Sequence, residues 1–259
     1  MLQKKMISTA LKAVKKSGKM LIIEYENFNR NRVSFKASNE IVTKADLKSE
    51  KIIISALKEV FPKHKVLAEE SGMSKNKSDY LWILDPIDGT TNFSMHNPLW
   101  SISLALAYKE EIIFGIVYLP YLKEIFIAQK DAGATLNNKG IRVSQNIKNN
   151  VINTYCHARD KKYLNKAVNY YNRQKMQGLD CRQLGSAAIE LAYVACGRVE
   201  SITIPGANSW DVAAGALLVQ EAGGKVSDFK DNLWNLKSED IIASNGKVHS
   251  QIIKILKQN

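Results

Sequence analysis

Two aspartates near the middle of the chain are spaced so that both could act on one ligand. Asp85 directly follows the apolar run Tyr80 to Leu84, which predicts a strand, and Pro86 is expected to end that strand because proline cannot continue a central one. Asp88 follows three residues later and can reach the same point. Open α/β sheets bind ligands outside the carboxyl ends of their strands, so we expect a ligand site here.

The residues after Asp88 have the composition of a phosphate cradle. Gly89 allows the backbone to turn closely, and Thr90 to Asn92 could open a helix whose free N–H groups face an anion. Asp, Pro and Gly are also the usual residues of turns, so a turn without function is the alternative. A turn alone does not explain two carboxylates followed by two hydroxyl residues, and we favour the ligand site.

Three further acids have positions that suit such a site. Glu69 follows the apolar run Val66 to Ala68 and therefore lies at a strand end, although on its own it would be surface charge. Asp211 lies at the start of an alanine- and leucine-rich helix, where an acid also suits the helix dipole. Asp46 stands in capping-box spacing with Thr43, which is a structural explanation as well. The functional interpretation of each acid depends on the others being close to it.

Together the acids form a set of oxygen donors without a histidine or cysteine pair nearby. Such hard ligands favour Mg²⁺, with Mn²⁺ as an alternative, over zinc. The four histidines, which lack ligand spacing, are His64, His96, His157 and His249. Clustered carboxylates repel one another unless cations lie between them, and two metal ions can activate a water and stabilise a leaving oxygen. The expected reaction is therefore phosphate-ester hydrolysis.

The elements that must position these residues follow from the apolar periodicity. A long amphipathic helix is predicted over residues 2–27 and a second from Thr43 to Pro62, so that two helices precede any sheet. Strands are predicted over residues 65–69, 80–84, 101–108, 112–118 and 124–129, which is typical of a meandering sheet. From about residue 150 strands (151–156, 178–183, 199–204, 225–228, 240–243) alternate with helices (160–173, 186–196, 209–222, and a last one from Val248 to Leu256). This alternation predicts a doubly wound half.

The length of 259 residues suits one large domain or two joined halves. The lysine- and asparagine-rich stretch from Gln145 to Asn150 is the best candidate boundary. We therefore expect an N-terminal half, residues 1–147, with the first helices, the meander and most metal ligands. The C-terminal half, residues 148–259, would carry Asp211 and share an interface with the first.

Composition limits the class of protein. The chain is 45% hydrophobic and 24% charged, which is typical of a globular fold, and its net charge of +12 favours anionic partners. The excess is mostly scattered lysine without a nucleic-acid-binding pattern, so we interpret it mainly as a solvated surface. Cys156, Cys181 and Cys196 form no CxxC pair and are expected to be buried thiols. Without an apolar run of about 18 residues or a signal peptide, we expect no membrane partner and a cytoplasmic location.

Ordered motifs along nearly the whole chain resemble the inositol monophosphatase family of Mg²⁺-dependent, lithium-sensitive phosphatases. The motifs are Ala68-Glu69-Glu70-Ser71, the run from Asp85 to Phe93, Trp210 to Gly215, and Glu221-Ala222-Gly223-Gly224. Gly185-Ser186-Ala187-Ala188 resembles the substrate-side loop of that family. The resemblance implies an α/β (α+β layered) fold, the αβαβα sandwich of the sugar-phosphatase type, and a homodimer.

The resemblance also implies metal ligands, with two or three Mg²⁺ ions in each site. Glu69 would ligate the first metal, Asp85 would bridge two metals, and the carbonyl of Ile87 would complete the first site. Asp88 and Asp211 would hold the second metal.

The remaining implied roles concern water and substrate. Thr90, with Asp46 behind it, would orient and deprotonate the attacking water, with Glu69 as the third catalytic residue. The phosphate and substrate contacts would come from Asp88, Gly89, Thr90, Gly185, Ser186 and Ala187.

One position departs from the inositol-preferring members. Seven residues before Asp211 they have a glutamate that contacts the ring hydroxyls, whereas this chain has Ile204, which cannot accept a hydrogen bond from a polyol. Ile204 could equally be the end of a strand. Fructose 1,6-bisphosphate, histidinol phosphate and nucleotide 3′-phosphates therefore stay open as substrates, and Arg182 could serve a second phosphate or be a surface arginine.

Two functions from different classes follow. The first is a Mg²⁺-dependent phosphomonoesterase for small polyol or sugar phosphates, most simply of the inositol-1-monophosphatase type. The second is an RNA- or nucleoprotein-binding accessory that uses the positive charge on the same scaffold.

Overall fold

The computed structural model describes residues 4–29, 34–35, 41–147, 151–156 and 160–257. These residues form seven helices: α1 (Lys4–Glu26), α2 (Lys44–Val60), α3 (Thr90–Ser94), α4 (Lys161–Met176), α5 (Ala187–Ala195), α6 (Ser209–Glu221) and α7 (His249–Lys257). They also form fifteen strands: β1 (Ser34–Phe35), β2 (Ile41–Val42), β3 (Lys65–Ala68), β4 (Gly72–Met73), β5 (Tyr80–Asp88), β6 (Ser101–Tyr108), β7 (Glu111–Leu119), β8 (Glu124–Gln129), β9 (Gly133–Leu136), β10 (Lys139–Gly140), β11 (Ile152–Tyr155), β12 (Asp180–Arg182), β13 (Ser201–Pro205), β14 (Lys225–Ser227) and β15 (Asp240–Ser244).

Five layers of secondary structure build the molecule. Helices α1 and α2 cover one face of an eight-stranded sheet, and α5 and α6 lie between that sheet and a five-stranded sheet. Helices α4 and α7 cover the far face of the second sheet. The αβαβα sandwich expected from the sequence is therefore confirmed, and three apolar cores fill its four interfaces, one of them lying on both sides of α5 and α6.

The first sheet has the strand order β10-β9-β8-β7-β6-β5-β3-β4. Strands β5 to β8 form the predicted meander, which is antiparallel and continues into β9 and β10, where no strands were predicted. Strand β3, which the prediction counted in the meander, pairs parallel to β5 instead. The second sheet has the order β12-β11-β13-β15-β14. Strands β11, β12 and β13 are parallel to one another, and β15 runs antiparallel to both of its neighbours, β13 and β14. The doubly wound pattern predicted for this half therefore holds for its three parallel strands.

A short pair of strands corrects one expectation about the N-terminal region. The sequence predicts two helices before any sheet, but β1 and β2 pair antiparallel between α1 and α2. Strands of two residues are too short to show an alternation of apolar and polar side chains, so periodicity could not reveal them.

Helix α2 begins with the capping box that the sequence predicts. The hydroxyl of Thr43 accepts from the N–H of Ala45 at 3.1 Å, and the N–H of Thr43 donates to the carboxylate of Asp46 at 2.8 Å. The helix ends at Val60, because Phe61 leaves helical geometry before Pro62. The capping box therefore fixes the carboxylate of Asp46 in the first turn of α2, within the outer helical layer that α1 and α2 form.

Strand β5 does not end at Pro86, which corrects the prediction. The register against β6 shifts between Asp85 and Asp88, so β5 has an extra residue there and continues to Asp88 through a bulge. A bulge tolerates proline because the extra residue need not donate to the ladder. The hydroxyl of Ser49 donates to the carbonyl of Pro86 at 2.9 Å and ties the bulge to α2. The two aspartates therefore project from a fixed irregularity in the strand rather than from a loop.

Close backbone contacts position helix α6, which carries Asp211. A Cβ atom on Gly115 of β7 would lie 2.9 Å from the carbonyl oxygen of Ala214, and a Cβ atom on Gly215 would lie 2.4 Å from the Cβ atom of Leu191 in α5. Glycine at these two positions lets α6 pack directly on the sheet and on α5. The first turn of α6 is thereby brought to the end of β5 where the aspartates lie.

The predicted boundary falls between the two sheets, although residues 148–150 lie outside the described part of the chain. Within that part, one buried carboxylate fastens the connection. Glu200 accepts hydrogen bonds from the Ser144 hydroxyl at 2.8 Å, the Asn146 amide at 3.1 Å and the N–H of Ile152 at 2.6 Å. The division into residues 1–147 and 148–259 stays a prediction.

The cysteines and helices bear on two other expectations. Cys181 is buried, as the sequence predicts, whereas Cys156 and Cys196 are half-buried. Burial raises the pKa of Cys181 to about 12, so it is a core side chain rather than a reactive one. Among the described helices, none combines the length and the apolar character needed to cross a membrane.

Candidate metal centre

Three aspartates meet at one point between the first sheet and α6. Asp85 and Asp88 project from the bulged end of β5, and Asp211 projects from the first turn of α6. Each offers a carboxylate oxygen, and these oxygens all lie within 4.8 Å of one another. Asp85 and Asp88 are buried and Asp211 is half-buried, so solvent does little to screen the group.

Burial and mutual repulsion raise the pKa of all three aspartates. The pKa of Asp85 lies well above its ordinary value because of burial first and then the charges of Glu69, Asp88 and Asp211. Burial also raises the pKa of Asp211, and Asp88 and Glu69 add to the effect. The pKa of Asp88 rises only to about 6, since hydrogen bonds from Ser186 and Ala188 oppose burial. A cation in the middle of the cluster would remove this repulsion.

Glu69 lies beside the three aspartates, as the sequence predicts. Its N–H donates to the carbonyl of Leu84 at 3.1 Å, which extends the pairing of β3 with β5 by one residue and holds Glu69 next to Asp85. The buried carboxylate of Glu50, in α2, accepts the N–H of Glu70 at 3.0 Å and fixes the turn that follows. Four carboxylates from three elements therefore face one volume, and their oxygen donors suit Mg²⁺ or Mn²⁺.

Thr90 and Asp46 form a hydrogen-bonded pair next to the cluster. The Thr90 hydroxyl lies 3.3 Å from one carboxylate oxygen of Asp46 and 2.9 Å from the carbonyl oxygen of Ile87. The other oxygen of Asp46 accepts the hydroxyl of Thr43 at 2.6 Å. Burial is the main cause that raises the pKa of Asp46 to about 7. The carbonyl of Ile87, expected at the first metal, thus accepts the Thr90 hydroxyl in this structure.

Gly89 occupies a position that only glycine fits. Its φ is 90°, and a Cβ atom there would lie 2.9 Å from the carbonyl oxygen of Leu99 and 3.2 Å from the Cβ atom of Ser186. Gly89 precedes α3, whose first turn begins at Thr90. The glycine therefore lets the chain leave β5 and start a helix within one residue, as the sequence predicts for a phosphate cradle.

The predicted substrate loop contacts Asp88. The hydroxyl of Ser186, the N-cap of α5, donates to the carboxylate of Asp88, and the N–H of Ala188 donates to the same oxygen at 2.8 Å. The N–H of Ala187 also lowers the pKa of Asp88. Asp88 is therefore held at the N-terminus of α5, where the helix dipole favours a negative charge.

Two residues that sequence reasoning missed hold this loop in place. The Asn92 amide donates to the carbonyls of Leu99 at 2.7 Å and Leu184 at 2.8 Å. Glu190 accepts the N–H groups of Leu184 and Gly185. An acid in the otherwise apolar helix α5 was the available signal for Glu190, because a buried charge needs partners.

The remaining predicted residues lie elsewhere. Ile204 is buried in the core between the sheets and pairs with Ile241, so it is a strand residue. Arg182 forms an exposed ion pair with Asp180, two residues before it. Of the described histidines, which exclude His157, none belongs to the acidic cluster: His249 bonds Ser244 and Ser227, His64 accepts from Trp82, and His96 contacts the carbonyl of Phe28.

Comparison with known proteins agrees with this fold. The sequence profile of the inositol monophosphatase family matches residues 2–259. Nus factor SuhB of Escherichia coli K12 is 36% identical over 246 residues, or 94% of this chain and 92% of that one. Extragenic suppressor protein suhB of Bartonella henselae superposes with a TM-score of 0.92 at 31% identity, covering 99% of this chain and 100% of that one. An IMPase of Thermotoga maritima gives a TM-score of 0.88 at 34% identity, with 97% and 96% covered.

The layered fold with carboxylates gathered at the end of its first sheet places the chain among IMPase-like proteins. The chain belongs to the inositol monophosphatase family.

Replacing Asp85 by Asn should stabilise the metal-free protein near pH about 8. Between pH about 4 and its raised pKa, the folded carboxyl holds a proton that the unfolded chain has released, so stability falls as pH rises through this window. The Asn side chain keeps an acceptor for the N–H of Ile87, which Asp85 binds at 2.9 Å. Thermal unfolding with EDTA should show a higher Tm for the variant than for the wild type.

Added Mg²⁺ provides the control. It should raise the Tm of the wild type at pH about 8 more than that of Asp85→Asn, because the wild type has one more carboxylate in the cluster to bind a cation and to be relieved of repulsion by it. Equal Mg²⁺ shifts in both proteins would contradict a cation site at Asp85.

Proposed function

We propose that this chain is a Mg²⁺-dependent phosphomonoesterase that hydrolyses small polyol or sugar phosphates, with inositol monophosphates as the first substrate class. The observation that supports this most is the convergence of Asp85, Asp88 and Asp211 within 4.8 Å beside the Thr90–Asp46 pair. Carboxylates crowded in this way are costly unless cations bind between them. A hydroxyl–carboxylate pair at the edge of such a cluster can accept the proton of an attacking water.

The residues present fit Mg²⁺, since all the donors are oxygens. Glu69, Asp85 and the carbonyl of Ile87 would hold the first ion, and Asp85, Asp88 and Asp211 the second. Bound Mg²⁺ supplies charge neutralisation for the phosphate and lowers the pKa of a coordinated water. Mn²⁺ suits the same donors.

The chain's own groups would orient the water and bind the phosphate. With the carbonyl of Ile87 directed at the first ion, the Thr90 hydroxyl would donate instead to Asp46, 3.3 Å away, and its oxygen lone pairs would accept a hydrogen bond from the attacking water. Asp46, with a pKa near 7 set mainly by burial, can take the proton. The N–H groups of Gly89 and Thr90 would receive phosphate oxygens, and the loop from Gly185 to Ala187 would face the substrate while it holds Asp88.

The identity of the alcohol is the finer part of the proposal. The similarity to IMPases favours inositol phosphates, as the sequence resemblance does. Ile204 offers no acceptor for ring hydroxyls, so fructose 1,6-bisphosphate, histidinol phosphate and nucleotide 3′-phosphates are the alternatives for the same site. We also propose that the protein acts as a homodimer in the cytoplasm, by analogy with the family.

Replacing Asp88 by Asn should abolish turnover without lowering the Tm, because the pKa of Asp88 is also raised and its charge therefore opposes folding. The amide oxygen can still accept from the N–H of Ala188, but it lacks the charge that a metal needs. We expect phosphate release to fall by more than about 100-fold, since even changes behind a metal ligand cost about 10–100-fold. The assay is phosphate release with Mg²⁺ titrated and EDTA as the control.

The same assay separates the substrates. Inositol 1-phosphate, fructose 1,6-bisphosphate, histidinol phosphate and adenosine 3′,5′-bisphosphate form the panel, and Mg²⁺-dependent release from one well above the rest identifies the alcohol. Absence of release from all four by folded wild-type protein would contradict the phosphatase proposal, as would full activity of Asp88→Asn.

A second function is favoured by the charge of the outer helical layer. Helix α1 exposes Lys5, Lys12, Lys16 and Lys19, which fall on one side because successive residues turn by about 100°. The row spans about 21 Å at 1.5 Å per residue. Further exposed lysines of this layer are Lys4, Lys15, Lys44, Lys48, Lys51 and Lys58. Of these ten lysines, counting the four in the row, only Lys48 forms an ion pair within the described residues, and its partner is Glu24. The lysines are thus organised by the fold, although they look scattered in sequence.

This lysine row suits the backbone of a nucleic acid, in line with the Nus factor name of the SuhB relatives. The apolar side of α1, including Met6, Ala10 and Val14, is buried against the sheet and cannot enter a membrane. Between Lys4 and Lys19 no exposed aromatic side chain is present to stack on a base. We therefore propose sequence-independent contacts to phosphates of an RNA duplex.

Replacing Lys5, Lys12, Lys16 and Lys19 together by Gln should weaken duplex RNA binding and its dependence on salt. Each phosphate contact contributes about one to the slope of log K against log[salt], so the slope should fall by about 3 to 4. Fluorescence anisotropy over a salt series measures the slope. Phosphatase activity should not change.

A matched variant replaces four exposed lysines of the opposite outer layer, formed by α4 and α7: Lys161, Lys166, Lys254 and Lys257. It should keep the wild-type slope. Equal losses in the two quadruple variants would mean that net charge, rather than the row on α1, accounts for binding, and would contradict the proposal.

A further inference from the structure

Glu190 is a buried acid to which the proposed reaction gives no role. It lies in the first turn of α5, and its side chain is 0% exposed. One carboxylate oxygen accepts the N–H of Leu184 at 2.9 Å and that of Gly185 at 3.1 Å. The other oxygen is buried beside Thr154, whose side chain favours the charged form of Glu190. Burying a carboxyl group lowers the stability of the fold unless its oxygens are hydrogen-bonded. The hydrogen bonds from Glu190 to the loop are therefore the contacts that could give this acid a role.

The loop from Leu184 to Ser186 is clamped from two sides. Glu190 holds its N–H groups, and the amide of Asn92 in α3 holds the carbonyl of Leu184 at 2.8 Å. Gly185 adopts a φ of 82°, and a Cβ atom there would lie 3.1 Å from the Asn92 amide nitrogen. The clamp thus selects one of the several backbone conformations that are open to a glycine.

The clamped loop leads directly to a predicted metal ligand. Ser186 follows Gly185, and its hydroxyl donates to the carboxylate oxygen of Asp88 that also accepts the N–H of Ala188. Any shift of the Leu184–Gly185 peptide moves Ser186, and with it the orientation of the Asp88 carboxylate. Hydrogen bonds at both ends of the segment from Leu184 to Ser186, with the covalent backbone between them, therefore connect Glu190 to Asp88.

We propose that Glu190 is a positioning residue: its carboxylate fixes the loop from Leu184 to Ser186 so that Asp88 is oriented for a divalent cation. The inference rests on the proposed function, because it assigns Asp88 to the metal. It predicts that the acceptor oxygen, rather than the negative charge, is what the loop needs. Burial raises the pKa of Glu190 to about 8, so the neutral amide of Gln is a close substitute near neutral pH.

Glu200 is a matched control within the same chain. It is 2% exposed, and its carboxylate also accepts a backbone N–H, that of Ile152, together with the side chains of Ser144 and Asn146. These partners join the two sheets and do not touch the acidic cluster. Removing the Glu200 carboxylate should therefore cost stability without changing the metal site.

The experiment compares Glu190→Leu, Glu190→Asp and Glu190→Gln with Glu200→Leu in the full-length protein. Calorimetry measures Mn²⁺ affinity, and phosphate release measures kcat and the Mg²⁺ concentration at half-maximal activity. We expect Glu190→Leu to weaken Mn²⁺ binding and to raise the Mg²⁺ requirement by about 10-fold or more, as removal of support for a metal ligand does. Glu190→Asp, one methylene shorter, should show a smaller shift in the same direction, and Glu190→Gln should restore wild-type values.

The control and the direct metal readout separate the outcomes. Glu200→Leu should lower the Tm and leave Mn²⁺ affinity at the wild-type value. Wild-type Mn²⁺ affinity in both Glu190→Leu and Glu190→Asp would overturn the positioning role, as would an equal loss in Glu200→Leu. If Glu190→Leu does not fold, the Mn²⁺ affinities of Glu190→Asp and Glu190→Gln test the positioning role in its place. If the wild type binds Mn²⁺ but releases no phosphate, the proposed function fails while the affinities still test Glu190.

Discussion

Repulsion among buried carboxylates is the constraint on which this structure depends. Asp85, Asp88 and Asp211 offer oxygens within 4.8 Å of one another, and Glu69 adds a fourth charge. Like charges at this distance in a poorly solvated site oppose folding. The surrounding scaffold opposes this repulsion through local hydrogen bonds: Asp85 accepts from the N–H of Ile87, Asp88 from Ser186 and Ala188, and Asp211 from the Asn208 amide. On our proposal, this loss of stability is offset when a cation binds between the carboxylates.

The layered architecture makes such a cluster possible because it brings distant segments to one end of a sheet. Strand β5 supplies two aspartates from a bulge, β3 delivers Glu69 beside it, and α6 delivers Asp211 from the layer between the sheets. Direct backbone contact at Gly115 fixes how deeply α6 lies on the sheet. The site is therefore assembled by packing between layers rather than by any one segment.

Local sequence signals revealed the parts of this assembly that depend on short-range chemistry. The capping box of Thr43 and Asp46 was predictable because both partners lie within one turn, and the turn at Gly89 was predictable because few residues allow its backbone. The course of the chain at Pro86 was not predictable, because pairing with β6 decides whether a proline ends a strand or lies in a bulge. The roles of Asn92 and Glu190 depend on contacts to Leu184, which periodicity does not report. The lysine row on α1 follows from the helical periodicity once the buried side of the helix is known.

The most direct test of the central claim is to locate bound divalent cations. Crystals grown with Mn²⁺ in place of Mg²⁺ give anomalous scattering from the metal alone, and Mn²⁺ accepts the same oxygen ligands. The account predicts anomalous peaks between the carboxylates of Asp85, Asp88 and Asp211, at ligand distances of about 2.0–2.2 Å. Crystals saturated with Mn²⁺ that show no peak at these carboxylates would contradict it.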